Sequence, residues 1–415
     1  MTPRIARYSR RIARLGIACT ALTATAALPQ EVRRDPSIAN LPRPGYEPRN
    51  LRMGNIVIVP ALETTATYNS NIFATDRRRV GDVIFAVQPS VEARRDSPKF
   101  STRARGYARL YRYADNSREN ANEFGISADG RRSIGSRQGV SARVSVDRTF
   151  QRRSDPEADV DRALRPVKIN VADGSFDYRY DGPKFGLVAS AGVLNVNYLT
   201  REDADRDVSS YRGSLRATLP IGNRIGTFVQ GAFTRRDARL AVDRSGIDRD
   251  VSTISGLAGV SFDLTDRLQG ELGGGIFRAN PDAPGLESFS GLAVSGRMLW
   301  RPRVRTAVIL DASRGDVATI RIGAIGRVDS RYSLSVDQEV YHNLLFHAGA
   351  GLRNVSYRGA PTQDQRFLRG ELETRYLVNR LVTLVAAADY TRRRADLADN
   401  RFKRWQLTLG VTLAY

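Results

Sequence analysis

Apolar and polar positions alternate through most of this chain. From Trp405 to Tyr415, Trp405, Leu407, Leu409, Val411, Leu413 and Tyr415 hold the odd positions, with Gln406, Thr408, Gly410, Thr412 and Ala414 between them. A strand turns successive side chains to opposite faces, so this stretch predicts a strand with one greasy and one wet face. Phe100, Thr102, Ala104, Gly106, Ala108 and Leu110 alternate in the same way with Ser101, Arg103, Arg105, Tyr107, Arg109 and Tyr111. Val140 to Asp147, Tyr211 to Leu219, Leu292 to Trp300, Ile322 to Val336 and Leu368 to Tyr376 repeat the pattern. A helical period would scatter the charges around the element, whereas a period of two gathers them on one face.

The punctuation also alternates. Short turns are predicted at Pro220 to Asn223, Leu264 to Arg267, Arg301 to Arg303, Tyr341 to Asn343 and Val378 to Arg380. Longer polar loops lie between them, at Arg235 to Asp250, Asn280 to Glu287, Arg358 to Arg366 and Arg392 to Arg401. Short turns at one end and longer loops at the other are the plan of a transmembrane barrel. The predicted fold class is therefore all-β, a transmembrane antiparallel up-and-down β-barrel of about 18 strands, with about 16 as the alternative. An even count puts both barrel ends on the periplasmic side. Thr149 to Pro183 has a blurred register. The apolar phase changes near Gly192 to Val196, which predicts a β-bulge. Pro89 predicts a bulge or a local break in pairing, because proline donates nothing to a ladder.

The barrel is expected to span residues 54–415, behind two other segments. Residues 1–26 read as a secretory signal: Arg4, Arg7, Arg10, Arg11 and Arg14, an apolar stretch, and the small-residue site Ala24-Thr25-Ala26. Ser9-Arg10-Arg11 is a weaker match to a twin-arginine signal, a route that carries folded cargo and does not suit a barrel. The single cysteine, Cys19, falls in this segment, so no disulfide or thiolate metal site is expected in the mature chain. Residues 27–53 contain Pro29, Pro36, Pro42, Pro44 and Pro48 and read as a periplasmic linker without regular structure.

The chain carries a formal charge of +21, nearly all from arginine. Such a charge often marks nucleic-acid binding, but an exported chain argues against that partner. The expected partners are outer-membrane lipid and the barrel-assembly machinery. The latter would read the closing strand through Leu409, Val411, Leu413 and Tyr415. No cofactor, metal or catalytic constellation is expected. His342 and His347 are the only histidines; the first lies in a turn and the second faces inward. Gly273-Gly274-Gly275 lacks the lysine and helix of a phosphate loop.

The inward face is the functional clue. It is expected to carry Arg103, Arg105, Arg109, Arg143, Arg212, Arg216, Arg297, Arg321, Arg327, Arg331, Arg353, Arg369 and Arg375, against Asp147, Asp329, Asp337, Glu371 and Glu373. A positive wall in a watery barrel favours anions. Alternatively, these arginines pair with the acids and fill a closed structural barrel.

One segment is more specific. Val59-Pro60-Ala61-Leu62-Glu63, Tyr68-Asn69-Ser70-Asn71-Ile72-Phe73, Asp82-Val83-Ile84 and Val87-Gln88-Pro89-Ser90-Val91 resemble the opening of the outer-membrane β-barrel porins that accompany exopolysaccharide and capsule genes. The resemblance covers residues 54–415 and departs at Tyr415, where such chains commonly end in phenylalanine. It implies an outer-membrane barrel without catalysis, acting beside polysaccharide export components; taken together with the arginine face, the expected cargo is an anionic solute or an acidic polysaccharide.

Overall fold

A computed structural model describes residues 38, 41–158, 165–243, 246–319, 324–359 and 363–415. The expected signal segment with Cys19, the first part of the proline-rich stretch apart from Ile38, and Arg321 lie outside the described residues.

The strands are β1 (Leu51–Met53), β2 (Ile56–Asn69), β3 (Asp82–Asp96), β4 (Phe100–Tyr113), β5 (Ala121–Ile134), β6 (Gln138–Phe150), β7 (Lys168–Asp181), β8 (Gly186–Tyr198), β9 (Val208–Pro220) and β10 (Ile225–Ala238). They continue as β11 (Val251–Thr265), β12 (Leu268–Pro281), β13 (Phe289–Arg303), β14 (Thr306–Val317), β15 (Gly326–Tyr341), β16 (Leu344–Arg358), β17 (Gln365–Leu377), β18 (Val382–Ala395) and β19 (Phe402–Ala414). Each of β2 to β19 pairs antiparallel with its neighbours in chain order, and β19 returns to β2 from Gln406↔Asn69 to Ala414↔Ala61. The result is a closed barrel of 18 strands. The short β1 folds back on the start of β2. Closure follows from solvation: hydrocarbon offers no partner to a backbone amide or carbonyl, so every edge must be paired within the protein.

The alternation sets the faces. Trp405, Leu407, Leu409 and Leu413 stand outward and exposed, while Gln406, Thr408 and Thr412 turn inward. Thr408 Oγ1 lies 2.9 Å from Thr67 Oγ1 across the seam. Outward aromatics form two belts, with Tyr68, Phe85, Phe124, Tyr211, Phe233 and Trp405 toward one rim and Trp300, Tyr376 and Tyr415 toward the other. Trp405 and Tyr415 are ten residues apart on one strand line. At about 3.3 Å per residue and a tilt of about 40°, that separates the belts by roughly 25 Å, the height of a barrel's apolar band. The eight turns at the β19 end are two to four residues long, and the nine loops at the other end run from six to seventeen.

Several sequence expectations change. The phase change in β8 is not a bulge: its ladders to β7 and β9 run without a register shift. Instead Leu194, Val196 and Tyr198 face inward and pack with Ile169, Val171 and Val208 near the long-loop mouth. Apolar residues on the inner face mimic a slip when they pack against folded-in chain. β15 starts at Gly326 rather than at Ile322, and the turn after β13 falls at Val304 and Arg305. Pro89 pairs with Leu62 but interrupts the ladder to β4 between Val87↔Leu110 and Ser90↔Tyr107, a break without a bulge. Residues 41–50 are not a loose tail; they enter the short-turn mouth, as described below.

The lipid-facing register is testable in the closing strand. Arginine near the bilayer midplane costs roughly 2–4 kcal/mol on the lipid face and far less in the lumen. Leu409→Arg is expected to impair barrel assembly strongly and Thr408→Arg weakly, read by heat-modifiable gel mobility of membrane fractions. Equal tolerance would place neither residue against lipid.

Candidate functional site

The inner wall carries the arginines expected from the alternation, and most of them are neutralised. Arg103 pairs with Glu92 at 3.7 Å, Arg212 with Asp173 at 2.7 Å, Arg297 with Asp311 at 3.4 Å, and Arg369 with Glu371 and Asp389, both at 2.9 Å. Arg375 pairs with Glu373. Arg216 bonds Glu271 at 2.8 Å and lies 3.7 Å over the Phe228 ring. That ring needs the glycine run: a Cβ at Gly273 would come within 2.8 Å of it. Asp329, fully buried, gathers Arg353 at 2.5 Å, Arg331 at 2.8 Å and Arg327 at 3.9 Å.

Three arginines differ. Arg105, Arg109 and Arg143 form no ion pair among the described residues, and all lie on the wall from β4 to β6. Arg109 donates to the Tyr111 hydroxyl at 3.2 Å, and that hydroxyl donates to Glu123 at 3.1 Å. Arg105 lies 5.9 Å from the Tyr107 ring centroid. Arg143 is exposed to the lumen, opposite Asp129 in the ladder. His347 faces inward, with Nδ1 2.6 Å from Asp337 Oδ1 and Nε2 3.3 Å from Glu371 Oε1.

Alternation did not reveal what crosses the lumen. The loop after β6 reaches strands nine positions further round, half of the ring. Glu157 accepts from Arg327 at 2.6 Å and from the Tyr357 hydroxyl at 3.2 Å. The Pro156 carbonyl accepts from Gln365 at 3.2 Å, and the Asp155 carbonyl from Arg393 at 3.3 Å. Arg393 itself is held between Phe402, 4.7 Å away, and Phe367, 5.8 Å away. The hairpin end of β14 and β15 leans in as well. The β13 ladder stops at Val294↔Arg314 while β14 and β15 stay paired to Val317↔Arg327. Val328 then packs on the inner faces of Leu257, Phe277 and Ala293, and Asp316 bonds Thr253 at 2.8 Å and Arg236. A sequence signal existed for this packing: inward positions that should be polar are Val171, Val196, Phe277, Tyr357 and Phe367.

The short-turn mouth is occupied by the segment before β1. Ile38 packs on Leu299, Ala307 and Ile309, three apolar residues on the inner face. Arg43 bonds Glu339 at 3.2 Å and the Ile38 carbonyl at 2.8 Å, and the Tyr46 ring meets His342 edge-on at 6.0 Å. Burial holds the Arg43 guanidinium below its ordinary pKa, with Glu339 opposing that shift.

The opening motif acquires a physical role. Asn71, fully buried, donates to the Thr75 carbonyl at 2.7 Å and the Lys403 carbonyl at 3.1 Å, tying the loop after β2 to the seam strand. The Asp82 carboxylate accepts from the backbone of Val83, Asp115 and Asn116. Asp207, Asp250 and Asp364 likewise accept from the backbone of Tyr198, Ala238 and Tyr357 at the ends of the preceding strands. An acid ahead of a returning strand thus satisfies an amide that the ladder leaves open.

A closed 18-stranded barrel with a polar lumen and two aromatic belts defines a porin-like barrel of the outer-membrane type. The chain belongs to the family described as Putative beta-barrel porin 2, whose model matches residues 43–415. No curated protein matches it in sequence. Among solved structures it is similar to a BenF-like porin from Pseudomonas fluorescens Pf-5, at 13% identity over 88% of this chain and 100% of that one, with a TM-score of 0.47. It is also similar to the outer membrane protein opdK from Pseudomonas aeruginosa, at 12% identity over 86% and 99%, TM-score 0.45. The FrpB iron transporter from Neisseria meningitidis (F3-3 variant) is similar at 9% identity and a TM-score of 0.46; the match takes in 81% of this chain but 62% of the transporter's length.

The charged anchor of the crossing loop is the buried Glu157–Arg327 bridge, beside the carbonyl contacts to Gln365 and Arg393. Breaking a buried pair typically costs about 3–5 kcal/mol, here reduced because Arg327 keeps Asp329. Glu157→Gln is expected to speed amide hydrogen exchange at residues 151–158 and leave the strands and the heat-modifiable mobility unchanged. Unaltered exchange there would mean the bridge does not hold the loop.

Proposed function

We propose that this chain is an outer-membrane porin that passes small anionic solutes rather than an enzyme. The supporting observation is the asymmetry of the lumen charge. Arginines on most of the wall are ion-paired with acids, whereas Arg105, Arg109 and Arg143 on one sector form no direct ion pair among the described residues. A permanently charged guanidinium without a carboxylate partner attracts a diffusing anion and leaves a path for its release, provided the sites are weak and several. The crossing loop and the segment at residues 41–50 favour small solutes. An acidic polysaccharide, and any export component that delivers it, would require both to move aside.

A second reading has its own observation. Nine of the predicted inward arginines are ion-paired, and both mouths hold folded-in chain, which suits a closed structural or assembly barrel.

Planar-bilayer recording separates the two. The purified chain is expected to conduct, with a reversal potential in a salt gradient that marks anion preference. The triple variant Arg105→Gln, Arg109→Gln, Arg143→Gln should lower that preference by about twofold to fivefold while conductance persists. A folded barrel that stays silent would overturn the open reading and leave the structural one.

A further inference from the structure

The outer wall at the long-loop rim carries a cationic patch that no described residue neutralises. Arg366 on β17 stands directly opposite Arg394 on β18, and Arg392 on β18 stands opposite Lys403 on β19. All four share the outward face with Leu368, Tyr390 and Trp405. Like charges facing each other across a ladder repel. Arg366 donates to Asn354 at 3.0 Å, but the side chains of Arg392, Arg394 and Lys403 make no hydrogen bond or ion pair among the described residues. The neighbouring acids do not help. Asp364 is committed to the Tyr357 amide at 2.8 Å and the Ser356 hydroxyl at 2.7 Å. Asp396 and Asp399, in the loop above, form no ion pair among the described residues. Elsewhere on the same rim the opposite holds: Arg235 is met by Asp237 at 2.5 Å, Asp282 at 2.7 Å and Asp250 at 3.0 Å.

What lies beneath the patch identifies its occupant. The rings of Tyr390 and Trp405 lie 4.5 Å apart, and below them Leu407 and Leu409 are exposed toward lipid. Lys403 is two residues above Trp405, about 7 Å along the strand. The cations therefore stand just above the aromatic belt, at the level where acyl chains give way to headgroups. We infer that Arg366, Arg392, Arg394 and Lys403 bind the phosphorylated headgroup of an outer-leaflet glycolipid, whose acyl chains lie on the apolar wall below. Guanidinium groups take phosphate oxygens in pairs, and a bound phosphate relieves the cross-strand repulsion. A free phosphate matches the cations but makes no use of the apolar wall. The inference rests on the outer-membrane reading above, which puts the long-loop rim in the glycolipid leaflet.

The test is native mass spectrometry of the full chain, released from detergent after incubation with bisphosphorylated lipid A or its dephosphorylated form. Wild type is expected to retain the bisphosphorylated lipid, the dephosphorylated lipid to be lost, and excess inorganic phosphate not to displace it. The variant Arg366→Gln, Arg392→Gln, Arg394→Gln, Lys403→Gln should retain about tenfold less while keeping the heat-modifiable mobility of a folded barrel. Equal retention by wild type and the folded variant, or retention that ignores the phosphates, overturns the site. Cell fractionation reports separately on location. A wild-type chain that binds the lipid but fractionates away from the outer membrane supports the site and overturns the localisation reading.

Discussion

Everything in this molecule follows from the pairing of backbone groups where no water can reach them. An amide or carbonyl left open in hydrocarbon costs several kcal/mol, so a sheet there must close on itself. β19 therefore meets β2, and the seam is reinforced by Thr67 against Thr408 and by Asn71 reaching the Lys403 carbonyl. Once the ring is closed, the two-residue period does the rest. One set of side chains must suit lipid and the other must suit an enclosed space.

The enclosed face sets the second problem. Arginines inside a low-dielectric wall are expensive unless matched, and the barrel matches them by register. Asp329 sits on β15 where Arg353 of β16 and Arg331 of its own strand converge, and Glu271 on β12 meets Arg216 of β9, three strands along the same wall. Arg327 turns the other way, to Glu157 on the loop from the far side. The same charge chemistry thus lines the wall and bolts a loop across it. On the sector from β4 to β6, Arg105, Arg109 and Arg143 form no ion pair among the described residues, and the proposed anion path rests on that sector.

Much of this was legible in the chain. Period two, long strands and turns of alternating length were enough for a closed antiparallel barrel of about eighteen strands. The inward placement of Arg103, Arg212, Arg369 and the others described followed from the same count. Three-dimensional partnerships were not legible. Nothing local says that Glu157 meets Arg327, because the two are brought together by half a turn of the barrel. The inward Val196 and Tyr357 look like errors of phase until the folded-in chain is seen. Ile38 and Arg43 sit in a proline-rich stretch whose composition reads as a linker, and their docking depends on apolar Leu299 and Ile309 on the inner face of distant strands.

The central claim is closure in a defined register, and the seam tests it most directly. Ala66 and Leu409 face each other across β2 and β19. Directly opposed residues bring their Cβ atoms to about 4.5–5.5 Å, whereas diagonal neighbours stand about 7–8 Å apart. With Cys19 removed, oxidation of the Ala66→Cys, Leu409→Cys chain in its folded state should form an intramolecular disulfide. It should appear as a reducible mobility shift after denaturation, and Ala66→Cys paired with Leu407→Cys or Val411→Cys should give little. A folded chain that fails to link residues 66 and 409, or links all three pairs alike, would contradict the closed barrel in this register.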